Sequence, residues 1–330
     1  MRRNSALVSS AAIVVALSAT LAACSATPGD VSACAPGLAS GSASSLVTAT
    51  GKVGSEPKVE IPAPLVSKTA ERSVLEKGAG LVAEQGMTVD TDLAVYDGAT
   101  GTKLGTTAYD AASPLRMRAG IRTSEEQKSP GILAKALLCA QPGQRLAVTG
   151  DWKDVELNLS QFGLAEGQTI VVVVDVRNVF LGKADGVNQL PQDGMPVVVT
   201  APDGTVGVTV PSGIKPPTAD RTSTIKLGSG PKLALGDGAV LQVAVWSWPS
   251  DGELSQTSST WKLGTMPTTL TLTDQGDQAI PAAFLDSLVG IPVGSQVLAV
   301  LPPAAGATTK DATIYVIDVL GITSSAATGK

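Results

Sequence analysis

Hydrophobic and polar positions form their clearest pattern near the C-terminal end of the chain. An amphipathic run at 284–290 precedes a Val293-Gly294 corner and an apolar run that ends at Pro302-Pro303. A further apolar run covers 313–320. Helical spacing, a glycine corner and two apolar runs separated by a Pro-Pro break predict a short helix followed by two strands.

A weaker copy of this unit lies in the first half of the chain. Its apolar runs cover 133–138, 142–148 and 169–176, in the same order. Further upstream, Val59-Glu60-Ile61-Pro62 returns as Val208-Thr209-Val210-Pro211. Repetition over so long a distance indicates a duplicated domain rather than a solenoid repeat.

Each copy is predicted to form one α+β domain. Alternating strands at 89–95 and 240–246 precede the helical runs. One short helix packed on a mainly antiparallel, curved sheet is an α+β arrangement. We place domain 1 at 48–182 and domain 2 at 183–325.

Composition excludes several classes of function. Of the 330 residues, 43% are hydrophobic and 16% are charged, and the formal charge is -5, which is typical of a globular, slightly acidic chain. No Lys/Arg cluster follows the first three residues, so no nucleic acid is expected as a partner. The chain has no His, which excludes Ser-His-Asp catalysis and His-ligated metal sites. We expect no metal and no cofactor.

The N-terminus predicts the location. A basic start at Arg2-Arg3 and an apolar stretch from Ala6 to Leu21 lead to Leu21-Ala22-Ala23-Cys24. This order resembles a bacterial lipoprotein signal, with 1–23 as signal peptide and Cys24 as the lipidated residue. The alternative is an ordinary secretory signal. With lipidation, the protein is extracytoplasmic and anchored to the outer face of the cell membrane, and 24–47 is a flexible tether.

Two further cysteines remain. Cys34 lies in the Ala/Ser/Gly-rich tether, and Cys139 lies on an apolar face. Pairing is possible in an oxidising compartment, but we favour a buried free thiol at Cys139.

The order of these motifs resembles the FKBP family of peptidyl-prolyl cis-trans isomerases. In the second copy the resemblance is carried by Phe284-Leu285-Asp286-Ser287-Leu288, by Val293-Gly294-Ser295 and by Tyr315. In the first copy it is carried by Tyr109-Asp110 and by Gln161-Phe162-Gly163. The resemblance covers about residues 57 to 322 and implies two tandem FKBP-like domains.

The resemblance also implies a set of site residues. The pocket and catalytic positions that it assigns are Tyr109, Asp110, Phe162, Phe284 and Tyr315. The substrate-binding positions that it assigns are Leu133, Val172, Leu270, Leu272 and Ile280. Both copies depart from the family pattern: Leu133 stands where the floor aromatic belongs, Ala305 where the flap aromatic belongs, and Gln256-Thr257 replace Phe-Asp.

For several of these residues, a purely structural role stays open beside the functional one. Asp110 is either the pocket carboxylate or a turn residue beside Ser113. Phe284 either forms the floor of a pocket or faces the core from its helix. The pair Trp246 and Trp248, with Trp261, either stacks on sugars or packs inside the fold, and packing is favoured.

The resemblance implies a weak prolyl isomerase that acts on Xaa-Pro bonds of secreted proteins. Rotation about such a bond faces a barrier of about 20 kcal/mol, and lowering it needs neither an acid nor a base, so a chain without His is compatible with it. The alternative is a non-catalytic binding protein on the same scaffold. Expected partners are Pro-containing polypeptides or an envelope protein.

Overall fold

The computed structural model describes residues 34–122, 129–250, 253–275, 280–303 and 310–323. The predicted signal peptide, Cys24 and Ala305 lie outside these residues. Residues 34–182 are called the N-terminal unit below, and residues 183–323 the C-terminal unit.

Both units are built mainly from antiparallel strands. The N-terminal unit contains β1 Thr48–Thr50, β2 Lys58–Glu60, β3 Glu71–Glu76, β4 Thr88–Asp97, β5 Lys103–Thr106, β6 Leu115–Arg118, α1 Ile132–Ala136, β7 Arg145–Asp151 and β8 Thr169–Phe180. The C-terminal unit contains β9 Val187–Asn188, β10 Val197–Thr200, β11 Val206–Thr209, β12 Arg221–Leu227, β13 Gly238–Trp248, β14 Ser255–Ser259, β15 Thr268–Thr271, α2 Ala282–Asp286, β16 Gln296–Leu301 and β17 Ala312–Thr323.

The two large sheets have the same strand order. The N-terminal sheet runs β3-β7-β8-β4-β5, with β6 paired to β4. The C-terminal sheet runs β12-β16-β17-β13-β14, with β15 paired to β13 and β9 added beyond β12. The register also repeats, since Ser73 faces Ala147 across β3 and β7, and Ser223 faces Leu298 across β12 and β16. Equivalent positions of the two units can therefore be compared residue by residue.

Each large sheet is buried on both faces. In β8, Ile170, Val172 and Val174 pack into the core on the α1 side, whereas Val171 and Val173 pack into a second core on the opposite, outer face. The outer faces are covered by the two small two-stranded sheets, β1-β2 and β10-β11. Burial on both faces explains why β8 is a continuous apolar run rather than an alternating one.

The predicted α+β class is wrong. The two α-helices of the described chain have five residues each, and the rest of its regular structure is strands in four sheets, apart from three short 3-10 turns. Both amphipathic runs contain a helix, as predicted, but each helix ends within about one and a half turns. Shortly after α1, Cys139 has a φ of 64°, and shortly after α2, Gly290 has a φ of 78°. A residue with a positive φ cannot continue a right-handed helix, so the chain turns away from the helix axis at both places. The fold is mainly β.

Part of the segment predicted as a flexible tether, 34–47, packs on the first sheet. The Glu71 carboxylate accepts hydrogen bonds from the backbone N–H groups of Ala43 and Ser44, both at 2.9 Å. The Val47 side chain is 1% exposed in the outer-face core. The segment covers apolar side chains of the first sheet that water would otherwise reach.

Cys34 and Cys139 form a disulfide, with 5.7 Å between their Cα atoms. The free-thiol interpretation of Cys139 is therefore wrong. The bond ties the N-terminal segment to the turn that follows α1.

The two units touch through the ends of their long strands. Phe180, at the end of β8, is 3% exposed and packs with Val240 and Leu320. The Arg116 guanidinium lies 5.3 Å from the centroid of the Phe180 ring, within the range of a cation–π contact. Within the described ranges, neither helix is long enough to cross a membrane.

Candidate functional site

A cavity of about 240 Å³ opens between α2 and the face of the second sheet on which α2 packs. Its lining comes from the helix, from the two longest strands of the sheet and from the edge segments that face them. The lining residues are Val243, Ser258, Thr260, Thr268, Leu270, Ile280, Pro281, Phe284 and Tyr315.

Two aromatic rings form the floor of this cavity. The Phe284 and Tyr315 ring centroids are 4.9 Å apart and the ring planes meet at 62°, an edge-to-face arrangement. Pro281 stands at the N-cap of α2 and directs the helix so that Phe284 and Leu285 point into the core. Phe284 is 5% exposed. Each ring limits the rotation of the other, so the floor is preorganised.

The polar groups of the cavity are hydroxyls. The Thr260 hydroxyl accepts a hydrogen bond from the Val243 backbone N–H at 2.8 Å, which fixes its position at the rim. Ser258 and Thr268 contribute two further hydroxyls. Burial raises the pKa of Tyr315 above its ordinary value, so its phenol stays protonated and remains a donor at neutral pH. The site can therefore hold an apolar ring and donate hydrogen bonds at its edge.

The volume limits what the cavity can take. Pockets for drug-sized ligands are usually about 300–1,000 Å³, and this one, at about 240 Å³, is smaller. It matches one compact apolar group, such as a single side chain of a peptide.

Four predicted site residues of the second copy meet here. Leu270, Ile280, Phe284 and Tyr315 all line the cavity. The fifth, Leu272, does not line it: the side chain is 0% exposed and packs in the core beside it.

In the N-terminal unit the corresponding space belongs to the core. Val172 pairs with Val95 as Tyr315 pairs with Val245, so Val172 occupies the position of Tyr315. Leu133 and Val172 are each 1% exposed in one continuous cluster. Val155 and Leu159, from the connection between β7 and β8, join this cluster.

The three remaining predicted residues of the first copy do not meet at a site. The Asp110 side chain is exposed and accepts a hydrogen bond from the Ala112 N–H at 3.0 Å, a contact typical of a turn residue. Phe162 lies in a 3-10 turn and is 38% exposed. Neither residue lines the cluster that contains Leu133 and Val172.

Tyr109 lies in a different environment again. Its hydroxyl is buried and has no hydrogen-bond partner among the described residues. Burial, with the nearby Asp175 carboxylate as a further cause, raises the pKa of Tyr109 far above its ordinary value. Asp175 lies on β8, two residues after the outer-face residue Val173 and just before a bulge. Its carboxylate accepts a hydrogen bond from the Arg145 guanidinium.

Sequence reasoning missed the polar half of the cavity and the ion pairs of the first sheet. Val243 lies on a strand that the sequence predicted. Because side chains alternate between the two faces of a strand, Val243 and its neighbour Gln242 must lie on opposite faces, and this could have placed Val243 on the α2 side. Thr260 carries no signal in the sequence. The buried Arg145–Asp175 pair joins two strands that read as apolar runs.

No family model matches the chain, and no curated protein matches it. Solved structures similar to it include FKBP-type immunophilins. The N-terminal domain of FKBP42 from Arabidopsis thaliana has 19% identity and a TM-score of 0.29 over 39% of this chain and 98% of that one. A multi-domain immunophilin from Arabidopsis thaliana has 18% identity and a TM-score of 0.29 over 41% of this chain and 50% of that one. FkpA from Escherichia coli has 18% identity and a TM-score of 0.25 over 33% of this chain and 47% of that one.

The chain thus spans about half the length of the second and third of these proteins. None of the three likenesses extends over more than 41% of the present chain. As a description of the whole chain, the prediction of two tandem FKBP-like α+β domains is wrong. The likeness to each of the three proteins is partial.

Proposed function

We propose that the C-terminal unit binds proline-containing segments of secreted polypeptides and weakly accelerates rotation about their Xaa-Pro bonds. One observation carries the proposal: Phe284 and Tyr315 form a fixed aromatic floor, with 4.9 Å between their centroids, under a cavity of single-side-chain size. A proline ring is a compact apolar group that packs well on aromatic faces.

The chemistry follows from the amide bond. Resonance creates the rotation barrier of about 20 kcal/mol, and the planar, charge-separated form is disfavoured in an apolar surrounding. Leu270, Ile280 and Phe284 supply that surrounding. Among the described lining residues, the Tyr315 phenol and the hydroxyls of Ser258 and Thr268 can donate to a bound peptide, whereas the Thr260 hydroxyl already donates within the fold. Only interactions that are stronger in the twisted amide than in the planar one raise the rate.

A second candidate is binding without catalysis. Among its described lining residues, the cavity contains no carboxylate and no cation. Donors are therefore few and uncharged, which favours holding a proline over stabilising a twisted amide. A proline-binding protein that presents extended segments, or that docks an envelope protein, fits this lining equally well.

Location is part of the same proposal. We propose that Cys24 is lipidated and that the protein acts at the outer face of the cell membrane. The basic start, apolar stretch and cysteine-terminated box support this, and the Cys34–Cys139 disulfide suits an oxidising compartment. Labelling with a radioactive fatty acid tests it: label should enter the wild-type protein and be absent from Cys24→Ala.

The activity is tested with an Ala-Pro tetrapeptide and three variants. Phe284→Ala removes the floor, and Tyr315→Val installs the residue found at the equivalent position of the N-terminal unit. Phe162→Ala is the matched control, because it removes an exposed aromatic outside the cavity. We expect wild type and Phe162→Ala to accelerate isomerisation above background, and the two floor variants to lose at least tenfold. If the wild type binds the peptide but does not accelerate isomerisation, the catalytic proposal is refuted and the binding proposal stands. If binding does not depend on proline, both proposals are refuted.

A further inference from the structure

A second and larger cavity lies on the opposite, outer face of the C-terminal sheet. Its volume is about 650 Å³, inside the usual range of about 300–1,000 Å³ for small-molecule sites. Strands β12 and β16 contribute one side of its lining, and β10 with the segment before it, together with Pro211 and Ile214 after β11, contributes the rest. This cavity shares no residue with the Phe284–Tyr315 site.

The N-terminal unit fills the equivalent positions with its own atoms. Ser73, the counterpart of Ser223, forms hydrogen bonds of 2.8 Å with the hydroxyls of Ser40 and Ser44, which belong to the segment packed above it. Arg145, the counterpart of Gln296, holds Asp175 and also donates to the carbonyl oxygens of Gly51, Lys52 and Ser55. These contacts draw the N-terminal cover down onto its sheet.

The C-terminal unit lacks these contacts. Gln296 replaces the arginine, and its amide donates to Asp318 at 2.8 Å and accepts from the Thr200 hydroxyl at 3.3 Å. Ser223 is 3% exposed and lines the cavity, yet no described residue forms a hydrogen bond with its hydroxyl. The Ser223 hydroxyl therefore faces the cavity, where a ligand group can make the hydrogen bonds that Ser40 and Ser44 make with Ser73 in the N-terminal unit.

The lining identifies the chemical class. One part of it is apolar and includes Met195, Val198, Ile214, Ile225 and Leu298. The other part carries neutral hydrogen-bonding groups, namely the side chains of Asn188, Gln189, Gln192, Thr200, Ser223 and Gln296.

The charges around the cavity leave little net preference for an ion. Lys226 is its cation, and the ammonium group already donates to the Ala184 carbonyl at 3.2 Å. Asp193 also lines the cavity, and Asp318 lies behind Gln296. A charged ligand would lose hydration without gaining a dedicated counter-ion.

We infer that this outer-face cavity binds an uncharged amphiphile, with an apolar body against Ile225 and Leu298 and a hydroxyl or amide group against Ser223 and Gln296. The ligand takes the place of the contacts that Ser40 and Ser44 make in the N-terminal unit. This inference does not depend on the proposed isomerase function.

The test is titration calorimetry of the purified protein with octanamide, octanoate and octylammonium. We expect saturable one-to-one binding of octanamide, with affinity at least tenfold above that of either ion. Ser223→Leu and Val198→Phe fill the cavity and should each lower octanamide affinity at least tenfold.

Neighbouring positions provide matched controls. Thr222→Leu and Val199→Phe introduce the same side chains one residue away, at exposed positions outside the lining, and should leave octanamide binding unchanged. Phe284→Ala should also leave it unchanged, which separates this site from the aromatic one. Absence of saturable octanamide binding, equal affinity for the ions, or equal loss in the control variants would overturn the inference.

Discussion

Replacing Arg145 by Leu should destabilise the N-terminal unit severely. The Arg145 and Asp175 side chains are 2% and 0% exposed, and two hydrogen bonds of 2.6 and 2.7 Å join them. The substitution leaves the Asp175 carboxylate buried with only the Gly54 N–H, at 2.7 Å, as a described partner. It also removes the donor to three loop carbonyl groups. Breaking one side of a buried pair costs about 3–5 kcal/mol.

Urea denaturation followed by circular dichroism measures this loss. With a slope of about 2 kcal/mol per molar urea, the unfolding midpoint should fall by about 1.5–2.5 M. Lys103→Met is the control, because its pair with Glu56 is about half exposed on both sides and should contribute less than about 1 kcal/mol. If Arg145→Leu lowers the free energy of unfolding no more than Lys103→Met does, burial is not what makes the Arg145–Asp175 pair important for stability, and the reasoning is refuted.

Three further predictions concern groups outside the aromatic site. Burial raises the pKa of Asp318, so the native state holds this proton more tightly than the unfolded state does. The free energy of unfolding should therefore fall as the pH rises from about 4 through the raised pKa. The urea midpoint of Asp318→Asn should fall less over the same pH range. Replacing both Cys34 and Cys139 by Ala opens a crosslink between residues 105 positions apart, and calorimetry should show a loss of up to about 4.7 kcal/mol. Tyr109→Phe removes a buried hydroxyl without a described partner and should raise the free energy of unfolding by about 1 kcal/mol; a decrease would show that the hydroxyl is satisfied.

The cavity beside α2 could be predicted in part because its aromatics are rare. Phe284 and Tyr315 stand alone in apolar runs whose helix and strand character is clear, so their side chains point to the same core. The same logic predicted Leu272 at this site. It follows the last residue of β15 and packs in the core beside the cavity, whereas Leu270 lies within the strand and lines the cavity.

The first copy shows where motif order fails. Tyr109-Asp110 matches an aromatic–carboxylate pair by sequence, but Asp110 satisfies a backbone N–H two residues later, as turn aspartates commonly do. Nothing local distinguishes the two roles. The Cys34–Cys139 pairing was considered but not favoured for a similar reason, because the Ala/Ser/Gly-rich composition around Cys34 conceals that Glu71 holds this segment on the sheet.

The most direct test of the central proposal is intermolecular nuclear Overhauser spectroscopy with the Ala-Pro tetrapeptide. The account predicts contacts from the prolyl ring protons to the Phe284 and Tyr315 rings, and their absence when Ala replaces Pro in the peptide. Prolyl contacts confined to other residues, or an Ala-Ala peptide that gives the same contacts, would contradict it.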